Sequence, residues 1–169
     1  MRVAFATDEE TTVSRAVVER LRRDGHEVVL VAPGAEWPEA GRAVGAAVAG
    51  GKAERGVVCC SSGTGVAMAA NKVPGVRAAL CTDAETAVGA RRWNDANVLA
   101  FGLRLTTETV ASEMLDAFLG VEVDPEELPA IARLETEPPG PEPPGPESPG
   151  PEPSGPESPG PESPGVGRG

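Results

Sequence analysis

Short apolar runs alternate along the chain with longer segments whose apolar residues recur every three or four positions. The runs are rich in Val, Ala and Leu and are closed by Gly, Pro, Asp or Thr, which is typical of buried strands. The longer segments have the spacing of amphipathic helices. The predicted strands are residues 2–6, 27–32, 56–60, 75–81 and 96–101. The first predicted helix ends at Arg23, and further helices are predicted at residues 40–51, 83–92, 106–119 and 125–134.

Strands and helices that alternate at this spacing indicate an α/β fold with a parallel, doubly wound sheet and helices on both faces. Thr11 or Thr12 is suited to cap the first helix. The unbroken apolar run at residues 27–32 predicts a strand that is buried on both faces. Residues 33–39, which contain Trp37-Pro38, are predicted to form a loop.

The composition changes abruptly near the C-terminus. Thirteen of the 18 prolines and eight of the 21 glycines lie between Pro138 and Gly169. From Pro139 to Pro164 the chain repeats Pro-Gly-Pro-Glu followed by Ser or Pro, with a period of five residues. A period of five excludes a collagen helix, and the segment has almost no apolar side chains to bury. We therefore predict one domain at residues 1–136 and a disordered acidic tail at residues 137–169.

The net charge is −11, of which the tail from Pro138 contributes −4. The remaining −7 argues against nucleic acid and against an anionic membrane surface as partners. No stretch approaches the length of apolar sequence that a membrane span needs, and the N-terminal run is too short for a signal peptide. Three cysteines, two of them adjacent, do not form a disulfide framework, which favours a cytoplasmic protein with reduced thiols. A single histidine leaves little scope for a metal site.

The strongest chemical signal is the stretch from Val57 to Lys72, Val-Val-Cys-Cys-Ser-Ser-Gly-Thr-Gly-Val-Ala-Met-Ala-Ala-Asn-Lys. A buried strand feeds a Gly-rich loop, and an Ala/Met-rich helix begins after it. Backbone N–H groups in such a loop bind anions, and they favour the thiolate form of a neighbouring cysteine. Cys60 is therefore either a catalytic base or, as is common for cysteine, a small buried hydrophobic residue. Cys59 and Cys81 are expected to be structural.

Other polar residues follow the predicted strands. Asp8, the loop after Cys60, Thr82-Asp83 and Gly102-Leu103-Arg104 all lie at carboxyl ends of strands, where ligands bind in such sheets. Asp8 either contacts a ligand or caps its loop, and Asp83 is most simply a helix N-cap. Arg91 and Arg92 are expected in a solvated or interface helix end, with a role as replacement cations for an anionic ligand as the alternative. A dinucleotide-binding loop is excluded because residues 7–12 contain no glycine.

Three blocks of sequence strongly resemble ribose-5-phosphate isomerase B and the related galactose-6-phosphate isomerase subunits. They are Cys-Ser-Ser-Gly-Thr-Gly at residues 60–65, Ala-Ala-Asn-Lys-Val-Pro-Gly-Val-Arg-Ala-Ala-Leu-Cys at residues 69–81 and Asn-Asp-Ala-Asn-Val-Leu-Ala at residues 94–100. The resemblance implies a Rossmann-like three-layer sandwich with a five-stranded parallel sheet. It also implies a homodimer or a dimer of dimers, with the active site between subunits.

The resemblance further implies aldose–ketose isomerisation of a sugar or sugar phosphate through an enediolate, without a metal or other cofactor. The base in this family is a cysteine or a glutamate, and this chain has Cys60 at the first position and Val66 at the second. The residues that match catalytic positions are Cys60 and Thr64. Those that match substrate-binding positions are Asp8, Ser61, Ser62, Gly63, Gly65, Asn94, Arg104 and Arg133.

The chain also departs from the family pattern. Glu9 replaces a phosphate-contacting histidine, and Trp93 replaces a histidine that assists ring opening. Arg133 is the one arginine left of a C-terminal cluster. These changes add negative charge and remove hydrogen-bond donors where a phosphate would bind. The alternative is therefore a family member with an altered substrate, or one that has lost catalysis and binds a sugar or an anion.

Overall fold

The computed structural model describes residues 1–135, and the predicted tail lies outside the described residues. Five strands and six α-helices alternate along this part of the chain. The strands are β1 (Arg2–Thr7), β2 (Glu27–Leu30), β3 (Arg55–Cys60), β4 (Ala78–Leu80) and β5 (Val98–Gly102). The helices are α1 (Thr12–Arg23), α2 (Trp37–Ala49), α3 (Thr64–Ala70), α4 (Ala84–Asn94), α5 (Glu108–Gly120) and α6 (Leu128–Leu134), and a 3-10 turn at Pro125–Glu127 precedes α6.

All strand pairs are parallel, and the order across the sheet is β2-β1-β3-β5-β4. Side chains alternate between two apolar layers, as strand geometry requires. Phe5, Cys59 and Phe101 pack on one face with residues of α1, α4 and α5. Ala6 and Cys60 face the opposite layer, formed with α2 and α3. The prediction of a three-layer α/β sandwich with a five-stranded parallel sheet is confirmed.

Burial of residues 27–32 on both faces was a wrong prediction. β2 stops at Leu30, lies at the edge of the sheet and leaves Leu30 53% exposed. β4 is also an edge strand and is shorter than the predicted residues 75–81. An apolar run shows that a segment pairs in the sheet, but the position across the sheet decides how much of it is covered.

Helix α2 begins earlier than predicted, at Trp37, with Pro38 in its first turn. Proline suits this position because its ring fixes a helical φ and the N–H that it lacks has no partner there. The N-cap residues of α1 and α4 are Thr11 and Asp83, whose side chains accept N–H groups of the first turn. Arg91 and Arg92 were predicted in a solvated or interface helix end. Arg92 is exposed, but the Arg91 side chain is only 1% exposed within the single chain, so solvation was wrong for Arg91.

Two asparagines hold the segment before β4. The Asn71 side chain donates to Ala78 O and accepts from Ala78 N–H, each at 2.8 Å. Asn97 accepts from Arg77 N–H and donates to Gly75 O, also at 2.8 Å. At this edge of the sheet, the N–H and C=O of Ala78 thus hydrogen-bond to the Asn71 side chain instead of to a neighbouring strand.

None of the helices between residues 1 and 135 has the length and apolar character needed to cross a membrane.

Candidate active site

The candidate site begins at the carboxyl end of the central strand β3. Cys60 is the last residue of this strand, and Gly63 N–H donates to its Sγ at 3.2 Å. Gly63 has φ +77°, and a Cβ there would lie 2.5 Å from the carbonyl carbon of Phe101 and 2.7 Å from Gly102 N. Only glycine fits this turn, which brings a backbone donor onto the thiol.

The other two cysteines lie in different surroundings. Burial raises the pKa of the Cys59 thiol to about 12 and that of the Cys81 thiol to about 11. Both thiols therefore stay protonated at neutral pH. Cys81 lines a cavity with Ser61 and Ser62, but of the three cysteines Cys60 is the one that accepts a hydrogen bond from the Gly-rich loop. Cys59 and Cys60 face opposite layers of the fold, as expected from their alternation along the strand.

The loop itself is held from two sides. Leu103 N–H donates to Cys60 O at 2.9 Å and Arg104 N–H donates to Ser61 O at 3.0 Å, which ties the loops after β3 and β5 together. The hydroxyl groups of Ser62 and Thr64 are 2.7 Å apart. The N–H groups of the first turn of α3 have no partner within that helix, so they remain donors beside the loop.

A cavity of about 230 Å³ opens on the β5 side of the loop. Ser61, Ser62 and Arg104 line it together with Thr82 and Leu105. Within residues 1–135, no carboxylate lies within ion-pair distance of Arg104. The structure thus brings this predicted substrate residue to the loop, with its positive charge unneutralised.

Asp8 lies at the other side of the loop, because Thr7 at the end of β1 pairs with Cys59 in the sheet register. It lines a cavity of about 260 Å³ together with Glu10. Partial burial raises the pKa of the Asp8 carboxyl, and the negative charge of Glu9 adds to this effect. The two cavities therefore differ in the sign of their charged residues: the one lined by loop residues Ser61 and Ser62 has an arginine, and the one at the ends of β1 and β2 has carboxylates.

Asn94 and Arg133 are not brought to Cys60. Asn94 ends α4 and lines a separate cavity of about 650 Å³ with Arg77, Leu134 and Glu135. This cavity lies at the amino end of the sheet, and the length of β5, about 13 Å, separates it from the carboxyl end. Arg133 lies in α6 directly before Leu134, which lines this cavity, and its Nη1 donates to Pro129 O at 3.2 Å.

Trp37 borders the site, and the sequence reasoning did not place it there. Its ring covers Gly65, where a Cβ would lie 2.8 Å from Trp37 Cε3. The signal was Pro38, which is typical of the first turn of a helix and would have placed Trp37 at a helix start. Among residues 1–135, no three His, Cys, Asp or Glu side chains are grouped so that they could hold a metal ion.

A family model described as Ribose/Galactose Isomerase matches residues 3–135 of this chain. Ribose-5-phosphate isomerase B from Escherichia coli K12 is 39% identical over 89 residues, which cover 53% of this chain and 60% of that enzyme. The LacB subunit of galactose-6-phosphate isomerase from Clostridium acetobutylicum is 35% identical over 117 residues, 67% of this chain and 68% of the subunit. D-erythrulose-4-phosphate isomerase from Pectobacterium atrosepticum is 38% identical over 88 residues, 52% of this chain and 58% of that enzyme.

Solved structures extend the similarity to the whole described fold. Ribose-5-phosphate isomerase B from Clostridium thermocellum superposes with a TM-score of 0.75 at 31% identity, covering 80% of this chain and 95% of that chain. The type B ribose 5-phosphate isomerase from Trypanosoma brucei gives a TM-score of 0.74 at 34% identity, covering 79% of this chain and 96% of that chain.

Proposed function

This chain belongs to the ribose/galactose isomerase family, and on that premise we propose that it interconverts an aldose and a ketose by proton transfer between neighbouring carbons. The observation that carries the proposal is the hydrogen bond from Gly63 N–H to Cys60 Sγ. It places the sulfur of a strand-end cysteine against the backbone donors of a Gly-rich loop. This is the arrangement that a thiolate base next to an anionic intermediate requires.

In the proposed reaction, Cys60 takes the proton from the carbon next to the substrate carbonyl as a general base. The electron pair of the broken C–H bond moves toward the carbonyl oxygen and forms an enediolate. N–H groups between Ser61 and Gly65 stabilise its charge, and Thr64 adds a hydroxyl donor. Return of the proton to the neighbouring carbon, together with transfer of the hydroxyl proton from one of the two oxygens to the other, completes the isomerisation, with no net change in protons or electrons.

The charges around the loop support one orientation of the substrate. Arg104 offers a cation on the β5 side, whereas Asp8 and Glu10 line the opposite cavity and suit hydroxyl groups. An anionic end such as a phosphate therefore binds toward Arg104. Glu9 and Trp93 point to a substrate that differs from ribose 5-phosphate in its phosphate contacts or in its need for ring opening.

We further propose that the active site lies between two subunits. Asn94 and Arg133 lie at the opposite end of the sheet from Cys60, so they reach substrate only in the site of a second copy. Apolar side chains around the Cys60 end are exposed in the single chain: Met68 is 60% exposed, Leu80 38% and Leu105 89%. Together they provide an apolar surface of the kind that a subunit interface covers.

The test compares the wild-type chain with Cys60→Ala and with Cys59→Ala as the matched control. We expect turnover of at least one of ribose 5-phosphate, galactose 6-phosphate and erythrulose 4-phosphate, a loss of about 100-fold or more in Cys60→Ala, and retained activity in Cys59→Ala. Unchanged activity in Cys60→Ala would remove this thiol from the mechanism.

The alternative function, binding without turnover, predicts a different result with the same protein and the same sugar phosphates. Glu9, Trp93 and the single remaining C-terminal arginine favour a protein that binds a sugar or an anion without turning it over. In that case a thermal-shift screen of these sugar phosphates and their unphosphorylated sugars gives a stabilising ligand, and no isomerisation is measured with any of them.

A further inference from the structure

A network of charges, in which Arg91 is buried and Arg77 and Asp95 are partly exposed, lies beside the turn that carries Asn94. The Arg91 side chain is 1% exposed, and its Nη1 donates to Asp95 Oδ1 and to Ala96 O, each at 2.7 Å. Its guanidinium also lies 5.9 Å from the centre of the Phe118 ring. Breaking such a pair leaves a buried charge without compensation, whereas apolar replacement of the whole group is often harmless. Stability alone therefore does not account for charges at this position.

Asp95 joins a second arginine to this network. Arg77 Nη2 donates to Asp95 Oδ2 at 2.8 Å, and Arg77 Nε donates to Asp95 O at 2.9 Å. Asp95 follows Asn94 directly and has φ +46°, a left-handed conformation that is unusual for a residue with a side chain. Two arginines thus hold both carboxylate oxygens of Asp95, the residue that follows α4, which fixes the direction of the Asn94 turn.

The same residues hold the C-terminal segment, residues 121–135. Arg91 Nε donates to Val121 O at 3.3 Å, Asp124 N–H donates to Arg92 O at 2.8 Å, and Arg77 forms an ion pair with Glu135. Neither the 3-10 turn nor α6 has a buried side chain. Polar contacts to residues 77, 91 and 92 therefore contribute to where this segment lies, next to the partly buried side chains of Val121, Val123 and Ile131.

We propose that Arg77, Arg91 and Asp95 are positioning residues, which fix the Asn94 turn and the segment carrying Arg133 relative to each other, with Glu135 as the outermost contact. The proposal rests on the isomerase function proposed above, in which Asn94 and Arg133 bind substrate. It explains why Asn94, Arg77 and Glu135 line one cavity, and why the network ends where the two substrate-binding elements meet.

The sharpest variant is Glu135→Gln, because Asp95→Asn would leave Arg91 buried and unpaired and could prevent folding. Glu126→Gln removes the same charge from the same segment, at a side chain without an ion pair among residues 1–135, and is the matched control. We expect Glu135→Gln to raise KM by about twofold to fivefold, the range of a partly exposed ion pair, with kcat nearly unchanged. Glu135→Asp, which keeps the carboxylate, recovers the wild-type KM.

Amide hydrogen exchange gives a readout that needs no substrate. In Glu135→Gln we expect faster exchange in residues 121–135 and unchanged exchange in β5, whereas Glu126→Gln matches the wild type in both. Equal exchange and equal KM in the two variants would overturn the proposal, and faster exchange with an unchanged KM would reduce the network to a structural role. If the wild type turns over no sugar phosphate, the proposed function fails, and exchange alone decides whether the network holds the segment.

Discussion

Gly63 and Gly75 have the same left-handed backbone, with φ +77°, but different surroundings. A Cβ at Gly63 would lie within 2.7 Å of two backbone atoms of the neighbouring strand, whereas a Cβ at Gly75 would have nothing within 4 Å. We predict that Gly63→Ala destabilises the fold by about 2–4 kcal/mol and Gly75→Ala by about 1–2 kcal/mol, since only the first adds steric overlap to the cost of the backbone conformation. Urea unfolding of both variants measures the difference.

The same substitution tests the loop as part of the site. Gly63→Ala also moves the N–H that donates to Cys60, so its activity is expected to fall further than its stability accounts for. Equal losses of stability in Gly63→Ala and Gly75→Ala would contradict the packing described for this turn.

The buried thiols predict a fall in stability at alkaline pH. The pKa of Cys59 is raised by burial from 9.0 to about 12. At a pH between these two values, the Cys59 thiol of the unfolded chain is deprotonated, whereas that of the folded chain keeps its proton. The stabilising effect is complete below pH 9 and is lost as the pH rises, by about 1.4 kcal/mol per pH unit for this thiol. Urea unfolding at pH 8 and pH 10.5 measures the loss.

Cys59→Ala provides the control for this prediction. The variant lacks the titrating thiol, so its stability should fall by about 1–2 kcal/mol less than that of the wild type between the two pH values. The chain contains no tyrosine, which removes one other group that titrates in this range. Equal losses in both proteins would show that Cys59 does not carry the effect.

At the scale of single residues, the sequence was most informative where the chemistry is local. Cys60, Gly63 and Gly65 lie within six consecutive residues, so their proximity follows from the chain itself. The burial of Arg91 could not be predicted in the same way, because Phe118 and Val121, which cover it, are about 30 residues away in sequence. Its contact with Asp95 has the i,i+4 spacing of a helical ion pair, which was the available signal.

At the scale of elements, the close packing of α2 on α3 depends on a glycine. A Cβ at Gly41 would lie 2.6 Å from Val66 O and 2.7 Å from Ala69 Cβ. Because α3 follows the Cys60 loop, we predict that Gly41→Ala costs about 1–3 kcal/mol and lowers activity by displacing that loop. Urea unfolding and the isomerase assay measure the two effects.

Gly120, the last residue of α5, is the matched control. A Cβ there would have nothing within 4 Å, so Gly120→Ala should be neutral or stabilising by up to about 1 kcal/mol, in line with the higher helix propensity of alanine. A Gly41→Ala variant as stable as Gly120→Ala would mean that the two helices separate at little cost.

The order of the elements could be predicted because strands and helices differ in the period of their apolar residues. Their bounds were less certain where burial depends on neighbours. β1 and β3 lie inside the sheet and were predicted to within one residue, whereas the edge strands β2 and β4 are shorter than their apolar runs. A sequence does not show which strands lie at the edges unless the crossovers are known.

At the scale of the whole molecule, a site shared between subunits predicts complementation. Cys60→Ala and Asn94→Ala should each be inactive, but a hybrid dimer contains one site with neither change. Co-expression of the two variants should therefore recover about one quarter of the wild-type activity, as expected for random pairing in a twofold-symmetric dimer.

Cys60→Ala with Asp8→Ala is the matched control, because both residues lie at the carboxyl end of the sheet in the same chain. Every site of that hybrid carries one of the two changes, so no activity should return. No recovery in the test pair would place Asn94 outside a shared site, and recovery in the control pair would mean that Cys60 and Asp8 of one chain serve different sites.

The amide of Asn71 also bears on how the protein behaves at high concentration. An open strand edge is a template on which further chains add, and this is one route to aggregation and amyloid growth. Asn71 already occupies both the N–H and the C=O of Ala78, and β4 is only three residues long. An incoming chain must break two hydrogen bonds and can form few backbone hydrogen bonds along so short a strand. One side-chain amide therefore protects this edge against fibril formation.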